Sequence, residues 1–275
     1  MKETSNKLKI FLYSTIGLAV ICSILFTVSM FVAFDAEIGY FSSTHPLSYI
    51  QSALLILSVL LCTSVLFLFP KDSITALNQA NDRFVSFASL LCGFVFVAGM
   101  LITFLSTNAN ASTLTKLQKD IFLLIVLSGL VGSIYFIYDA ITPNSNGLTL
   151  KVIAAIFVII YCLTSIIFEH VDLYVPINVP RKNLLFVCFV SFSLFMVQKL
   201  RFKTEMGQPK AFLLFGATTT ILCTTFSISG LVAHCAGAFK DSSFLMYYLI
   251  ALAAAIYSLA NLLSYTKSAE SEQEV

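Results

Sequence analysis

One long apolar segment carries the most regular line of small and polar residues in the chain. It runs from Ala211 to Ala233 without a charged residue. Its small and polar residues are spaced by four, three, four, three and four, which places them on one face of a helix: Gly216, Thr220, Cys223, Ser227, Gly230 and His234. Such a face can be a close-packing seam, because small residues let helices approach in lipid. The pattern favours the seam, with a polar wall along a substrate path as the alternative.

The three histidines are the candidate metal ligands of this chain. His45, His170 and His234 all fall at the same predicted surface of the membrane. Carboxylates lie near them in the sequence: Asp35, Glu37, Glu169 and Asp172. Imidazole and carboxylate groups are good metal ligands, and histidine also titrates near neutral pH. No HxxxH or HxxE spacing is present, so ordinary interfacial histidines are the default interpretation and a metal or pH-sensing site is the alternative.

Catalytic and ion-translocating signatures are missing from the sequence. Asp139 and Glu169 fall at the ends of predicted spans, whereas charges in the middle of a membrane usually mark ion or proton paths. This placement argues against proton coupling and leaves a carrier of neutral or lipidic solutes. No nucleophile elbow, zinc-protease motif, P-loop or dinucleotide-binding motif occurs. The sequence therefore favours a non-enzymatic protein without a cofactor.

Composition places these residues in a membrane. The 275 residues are 58% hydrophobic and only 11% charged, whereas soluble domains carry roughly a quarter charged residues. The apolar runs are continuous over about 17 to 25 residues, the length that a transmembrane helix needs. All seven cysteines lie within or at the ends of apolar runs without a CxxC pair, which is typical of buried, inert thiols. The sequence predicts an all-α, polytopic transmembrane helix bundle.

The apolar runs divide the chain into eight predicted spans that form one integral membrane domain over residues 1–275. Their approximate limits are 10–34, 47–69, 84–105, 121–138, 148–168, 184–200, 211–234 and 244–265, followed by a polar tail at 266–275. The sixth span is short, and Lys199 and Arg201 can extend it by snorkelling to the interface. The segment between residues 139 and 151 is the weakest part of this topology, because losing a span there would invert every later one.

The distribution of basic residues predicts the orientation of the bundle. Eight spans place both termini on one side, and cytoplasmic segments favour lysine and arginine. With the N-terminus inside, eleven of the sixteen basic residues lie on the inner side, including those of the loop around Arg201. The sequence therefore predicts that both termini are cytoplasmic.

Two short stretches carry a resemblance to other proteins. The first loop, Phe34–Phe41, reads FDAEIGYF, and Pro180-Arg181-Lys182 leads through the sixth span to Gln198 and Arg201. Both stretches resemble segments of uncharacterised multi-spanning membrane proteins of Gram-positive anaerobic bacteria. Such proteins are expected to carry an acidic residue where Gln198 stands. The resemblance implies a bacterial cytoplasmic (plasma) membrane and implies no activity.

Two functions remain open at the level of sequence. The first is transport or permeation of a small or lipidic solute, which rests on the many spans, the short loops and the polar face around Thr220. The second is a non-enzymatic membrane subunit or sensor that acts through a protein partner. The lipid bilayer is the expected surrounding, a protein partner or a homo-oligomer fits the second function, and nucleic acid is not an expected ligand.

Overall fold

The computed structural model describes nine stretches of the chain: residues 2–35, 40–42, 45–68, 83–109, 115–142, 148–171, 180–203, 208–238 and 244–271. They hold eleven elements: α1 (Lys2–Val32), β1 (Phe34–Asp35), β2 (Tyr40–Phe41), α2 (Pro46–Thr63), α3 (Val65–Leu68), α4 (Arg83–Ala109), α5 (Lys116–Ile141), α6 (Leu148–Val171), α7 (Pro180–Lys203), α8 (Pro209–Cys235) and α9 (Leu245–Ser271). The two strands form one short antiparallel pair that joins Phe34 to Phe41. The predicted all-α fold is confirmed.

Eight helical stretches in the described residues are long and apolar enough to cross a membrane. They are Asn6–Val32, Pro46–Phe67, Arg83–Leu105, Lys116–Ile141, Thr149–Val171, Pro180–Phe202, Pro209–Cys235 and Leu245–Ser268. The second of them combines α2 and α3, which are separated at Ser64. The chain is therefore a multi-pass integral membrane protein, with one helical stretch for each span that the hydropathy pattern predicts.

The helices extend further than the apolar runs do. Helix α7 begins four residues before the predicted start at residue 184 and continues through Lys203, and α9 continues to Ser271 inside the predicted polar tail. Backbone hydrogen bonding does not stop where hydropathy falls, because a helix can project from the hydrocarbon into the interface. The extra turns bring charged residues of the interface into the packed bundle.

Local signals begin and end the helices. Proline is the first residue of α2, α7 and α8, where its missing N–H group costs no intrahelical hydrogen bond. Thr115 and Gln118 form a capping box at the start of α5. After α8, Gly237 adopts a positive φ of 75°, and the next amide nitrogen, of Ala238, lies 3.0 Å from the carbonyl oxygen of Ala233.

Six of the long helices form a closed ring. Each of α4, α5, α6, α7, α8 and α9 packs against the next in chain order, and α9 packs back against α4. Helix α1 lies outside this ring against α8, and α2 lies against both α1 and α8. Helix α8 thus contacts neighbours inside and outside the ring, which agrees with the high buried share of its residues.

Aromatic side chains fill the middle of the ring. We call Phe96, Phe136, Tyr161, Phe189 and Phe192 the aromatic block; all five side chains are buried. Phe136 lies at its centre, with its ring centroid 5.3 Å from that of Phe96 and 6.5 Å from that of Phe192. Aromatic pairs at these separations contribute about 0.5–1.5 kcal/mol beyond the burial of their area. The block therefore ties α4, α5, α6 and α7 together.

Candidate functional site

The predicted face of the seventh span is a buried contact surface of α8. Gly216, Thr220, Cys223, Ser227 and Gly230 are buried, and His234 is half-buried in the last turn. The hydroxyl oxygen of Thr220 lies 2.9 Å from that of Ser258 on α9, and the thiol of Cys223 points to the carbonyl of Cys188 on α7. The face therefore packs between α7 and α9.

The two glycines of this face let α8 approach α9 closely. A Cβ atom at Gly230 would lie 2.2 Å from the ring of Tyr248, and one at Gly216 would lie 2.9 Å from Leu262. Close approach of this kind is the expected use of small residues between helices in lipid. Gly129 on α5 is a small residue that faces other helices: a Cβ atom there would meet Met100 on α4 and Tyr161 on α6.

The three histidines have separate local surroundings. The Nδ1 atom of His45 accepts from the amide of Leu47 at the start of α2, and Nδ1 of His170 lies 2.8 Å from the carbonyl oxygen of Ile166. His234 stands at the end of α8. Within the described residues, no group of three or more histidine, cysteine or carboxylate side chains has an arrangement that could hold a metal ion. The described part of the chain therefore does not bring the histidines together into a metal site, and Glu37 and Asp172 lie outside the described residues.

A buried ion pair inside the helix ring is the main feature that sequence reasoning missed. The Nζ atom of Lys199 lies 2.9 Å from Oδ2 of Asp139, and the two side chains are 1% and 4% exposed. Lys199 Nζ also donates to the hydroxyl of Tyr257 and lies 4.2 Å from the centroid of that ring. The hydroxyl of Tyr257 is 3.3 Å from both Asp139 Oδ2 and the hydroxyl of Tyr135. We call these four residues the ion-pair cluster.

Three helices of the ring supply the ion-pair cluster. Tyr135 and Asp139 are one turn apart on α5 and so share a face, whereas Lys199 belongs to α7 and Tyr257 to α9. The sequence suggests that Lys199 snorkels to the interface, but its side chain turns into the bundle and is buried. Asp139 does lie near the end of its helix, but it is buried there because α7 and α9 continue past it.

The spacing of Tyr135 and Asp139 is the sequence signal that could have indicated this site. A polar pair at i and i+4 in an apolar helix marks one polar face. The partner lysine, however, lies sixty residues further along the chain, and nothing local selects it.

The aromatic block borders the ion-pair cluster on one side. The ring of Phe136 lies 5.1 Å from that of Tyr257 and 5.2 Å from that of Tyr135. On the far side of the block, the side chain of Tyr247 lies near that of Glu169. The Nζ atom of Lys182 donates to the carbonyl of Glu169 at 2.5 Å. Buried charged side chains therefore lie on both sides of a layer of aromatic rings.

Other lysines contact backbone carbonyls at helix ends. Lys151, Lys182 and Lys210 each donate to a backbone carbonyl near the end of another helix: those of Thr142, Glu169 and Leu66. The last carbonyls of a helix lack intrahelical partners and carry a partial negative charge, so an ammonium group stabilises them. Lys199 reaches a carboxylate, that of Asp139.

The ion-pair cluster combines an ammonium group, a carboxylate and two hydroxyls without solvent exposure. Such a set can bind a small polar solute by exchanging the internal ion pair for contacts with that solute. It can also relay a proton, because the Tyr257 hydroxyl touches both charged groups. Comparisons of the chain with protein-family models, curated proteins and solved structures give no match.

Proposed function

We propose that the protein is a transporter that moves a small solute across the membrane through the ring of α4–α9, using the ion-pair cluster as its binding site. The observation that carries this proposal is the buried contact between Lys199 and Asp139. The resemblance of the Phe34–Phe41 segment supports a bacterial cytoplasmic membrane as its location.

The energetic cost of the pair supports a functional role. Burying two opposite charges costs several kcal/mol per ion in desolvation, and apolar residues of similar volume often stabilise a fold as well or better. Charged residues inside transmembrane segments therefore mark sites of function by default. The pair also lies in the ring, beside the aromatic block, rather than at a contact between the ring and α1 or α2.

Three native cysteines allow a direct test of this path. Cys92 on α4 is buried within electrostatic range of Lys199, Cys22 is buried between α1 and α2, and Cys235 is exposed. Three single-cysteine proteins, with the other six cysteines changed to alanine, are reconstituted in vesicles and treated with a membrane-impermeant thiol reagent. Cys235 is the positive control, and Cys22 is the control for a buried thiol outside the ring.

Transport requires states in which the ring interior meets water, and such minor states are commonly about 0.1–10% populated. Cys92 should therefore react about 10- to 1,000-fold more slowly than Cys235, and Cys22 should stay unreactive. Equal inertness of Cys92 and Cys22 would contradict the transport proposal.

A second function, a non-enzymatic subunit or sensor that acts through a protein partner or as a homo-oligomer, is favoured by the closed interior. The aromatic block fills the middle of the ring, and the α8 face is sealed against α7 and α9. In this alternative the ion pair holds three helices in register. It predicts that Cys92 remains unreactive, so the same labelling experiment separates the two functions.

A further inference from the structure

An apolar groove lies on the outer surface of the helix ring, away from the ion-pair cluster. Helices α2 and α7 form its walls and α8 forms its floor, with a volume of about 480 Å³. The lining is almost wholly hydrocarbon and includes Ile56, Leu60, Phe186, Val190, Leu214 and Leu222. This volume is within the usual range of small-molecule sites, roughly 300–1,000 Å³.

The groove has the depth of one membrane leaflet. Its lining on α8 extends from Leu214 to Leu222, which at 1.5 Å per residue is about 12 Å along the helix. The hydrocarbon core of a bilayer is about 30 Å thick, so this length is close to half of it. Leu222 is the middle residue of α8, and Leu214 lies near its start. On α8 the lining thus runs from near the start of the helix to its middle, and on α7 it extends from Leu194 past the middle of the helix to Phe186.

Basic side chains stand at the shallow end of the groove, where α7 ends and α8 begins. Lys210 precedes the lining residue Leu214 by one helical turn, and Arg201 follows Leu194 by two turns, so each shares a face with the lining. Arg201 is exposed. The ammonium of Lys210 lies 3.0 Å from the carbonyl oxygen of Leu66, which holds it at the end of α3.

We propose that this groove binds one acyl chain of an anionic phospholipid, with the phosphate of the head group beside Arg201 and Lys210. Charge complementarity selects the head group, and the hydrocarbon lining selects the chain. A transmembrane helix of a partner is a poorer occupant, because it would be about 10–12 Å wide and would cross both leaflets. A lipid with its head group at the shallow end fits a groove whose lining on α8 is about 12 Å long.

Native mass spectrometry of the full-length protein tests the acyl-chain site, with phosphatidylglycerol and phosphatidylcholine as the added lipids. Val190→Phe places a ring in the groove, and Val197→Phe is its control on an exposed position of the same helix outside the groove. The first variant should lower phosphatidylglycerol binding about tenfold, a loss of about 1.4 kcal/mol. The control should bind as the wild type does. Ile56→Phe on α2 repeats the test if Val190→Phe does not fold.

Two further variants test the contact with the head group. Arg201→Gln and Lys210→Gln should each reduce the preference for phosphatidylglycerol over phosphatidylcholine about fivefold, since a basic residue near an anionic surface contributes about 1 kcal/mol. Lys119→Gln, an exposed lysine at the start of α5, should leave this preference unchanged.

Three results would overturn the proposal. Unchanged lipid binding by both groove-filling variants would place the lipid elsewhere. An unchanged preference for phosphatidylglycerol in the two glutamine variants would show that Arg201 and Lys210 do not contact the head group. Dissociation of a dimer by Val190→Phe, without a change in bound lipid, would make the groove an interface between copies of this chain. None of these results depends on whether the ring transports a solute.

Discussion

Lys199 and Asp139 form a buried ion pair in which each residue depends on the other. Each charge is stable in the bundle because the other neutralises it, and the Tyr257 hydroxyl supplies a further hydrogen-bonding partner. Removing one partner leaves an uncompensated buried charge, whereas removing both does not. A comparison of the single and double variants therefore shows whether the two residues are coupled.

Changing Lys199→Met or Asp139→Asn alone should destabilise the protein by about 3–5 kcal/mol, because each change leaves the other charge buried without its ionic partner. The double variant should recover most of that loss. Apparent melting temperatures in a mild detergent give the comparison, as a double-mutant cycle. Additive losses in the double variant would show that the two residues are not coupled.

Removing the hydroxyl group of Tyr257 tests the rest of the cluster. Tyr257→Phe keeps the ring that packs on Phe136 and removes the hydrogen bonds to the charged groups, so a loss of about 1.5–3 kcal/mol is expected. Tyr49→Phe is the matched control, because Tyr49 is 64% exposed on α2 and should show no loss. The same melting experiment measures both, and equal behaviour of the two variants would argue against a contribution from the hydroxyl.

At the scale of elements, α8 and α9 are joined by small residues. The four-three spacing of glycine, threonine and serine predicts one face of α8, and the structure packs that face against its neighbours. The spacing does not identify the neighbouring helices. Gly129 is also a small residue of an apolar helix, yet it faces α4 and α6. A small residue indicates that another helix approaches closely, but it does not identify that helix.

Gly230→Ala should weaken the α8–α9 contact by about 1–3 kcal/mol, the usual cost of overpacking, because the added methyl group meets the buried ring of Tyr248. Gly17→Ala is the matched control on α1, where nothing lies within 4 Å of the added carbon. It should be neutral or stabilising by up to about 1 kcal/mol, since alanine is the better helix former. Equal destabilisation by both changes would show that close packing of α8 against α9 is not the cause of the loss.

At the scale of the whole molecule, the eight spans found in the described residues divide into a six-helix ring and an outer pair formed by α1 and the α2–α3 span. The ring holds the ion-pair cluster and the aromatic block. The outer pair supplies one wall of the apolar groove through α2. This division separates a buried polar site from a lipid-facing surface.

Reporter fusions test the orientation of this assembly. Reporters at the N-terminus, within residues 204–207 and at the C-terminus should all be cytoplasmic, because an even number of spans separates these points and basic residues favour that side. A reporter within residues 172–179 should lie on the opposite side. Opposite locations for the N-terminal and 204–207 reporters would overturn the eight-span order.

The sequence by itself determined the class of fold and the number of spans, because hydrocarbon requires long apolar segments whose backbone groups are paired within a helix. It also determined the small-residue face of α8, since helical periodicity is local. Only the tertiary structure decided that Lys199 turns inward to Asp139 and Tyr257, sixty and fifty-eight residues away along the chain. Pairing of that kind depends on which helices are neighbours and on the depth in the membrane at which their side chains meet. No single segment of the sequence encodes either of these.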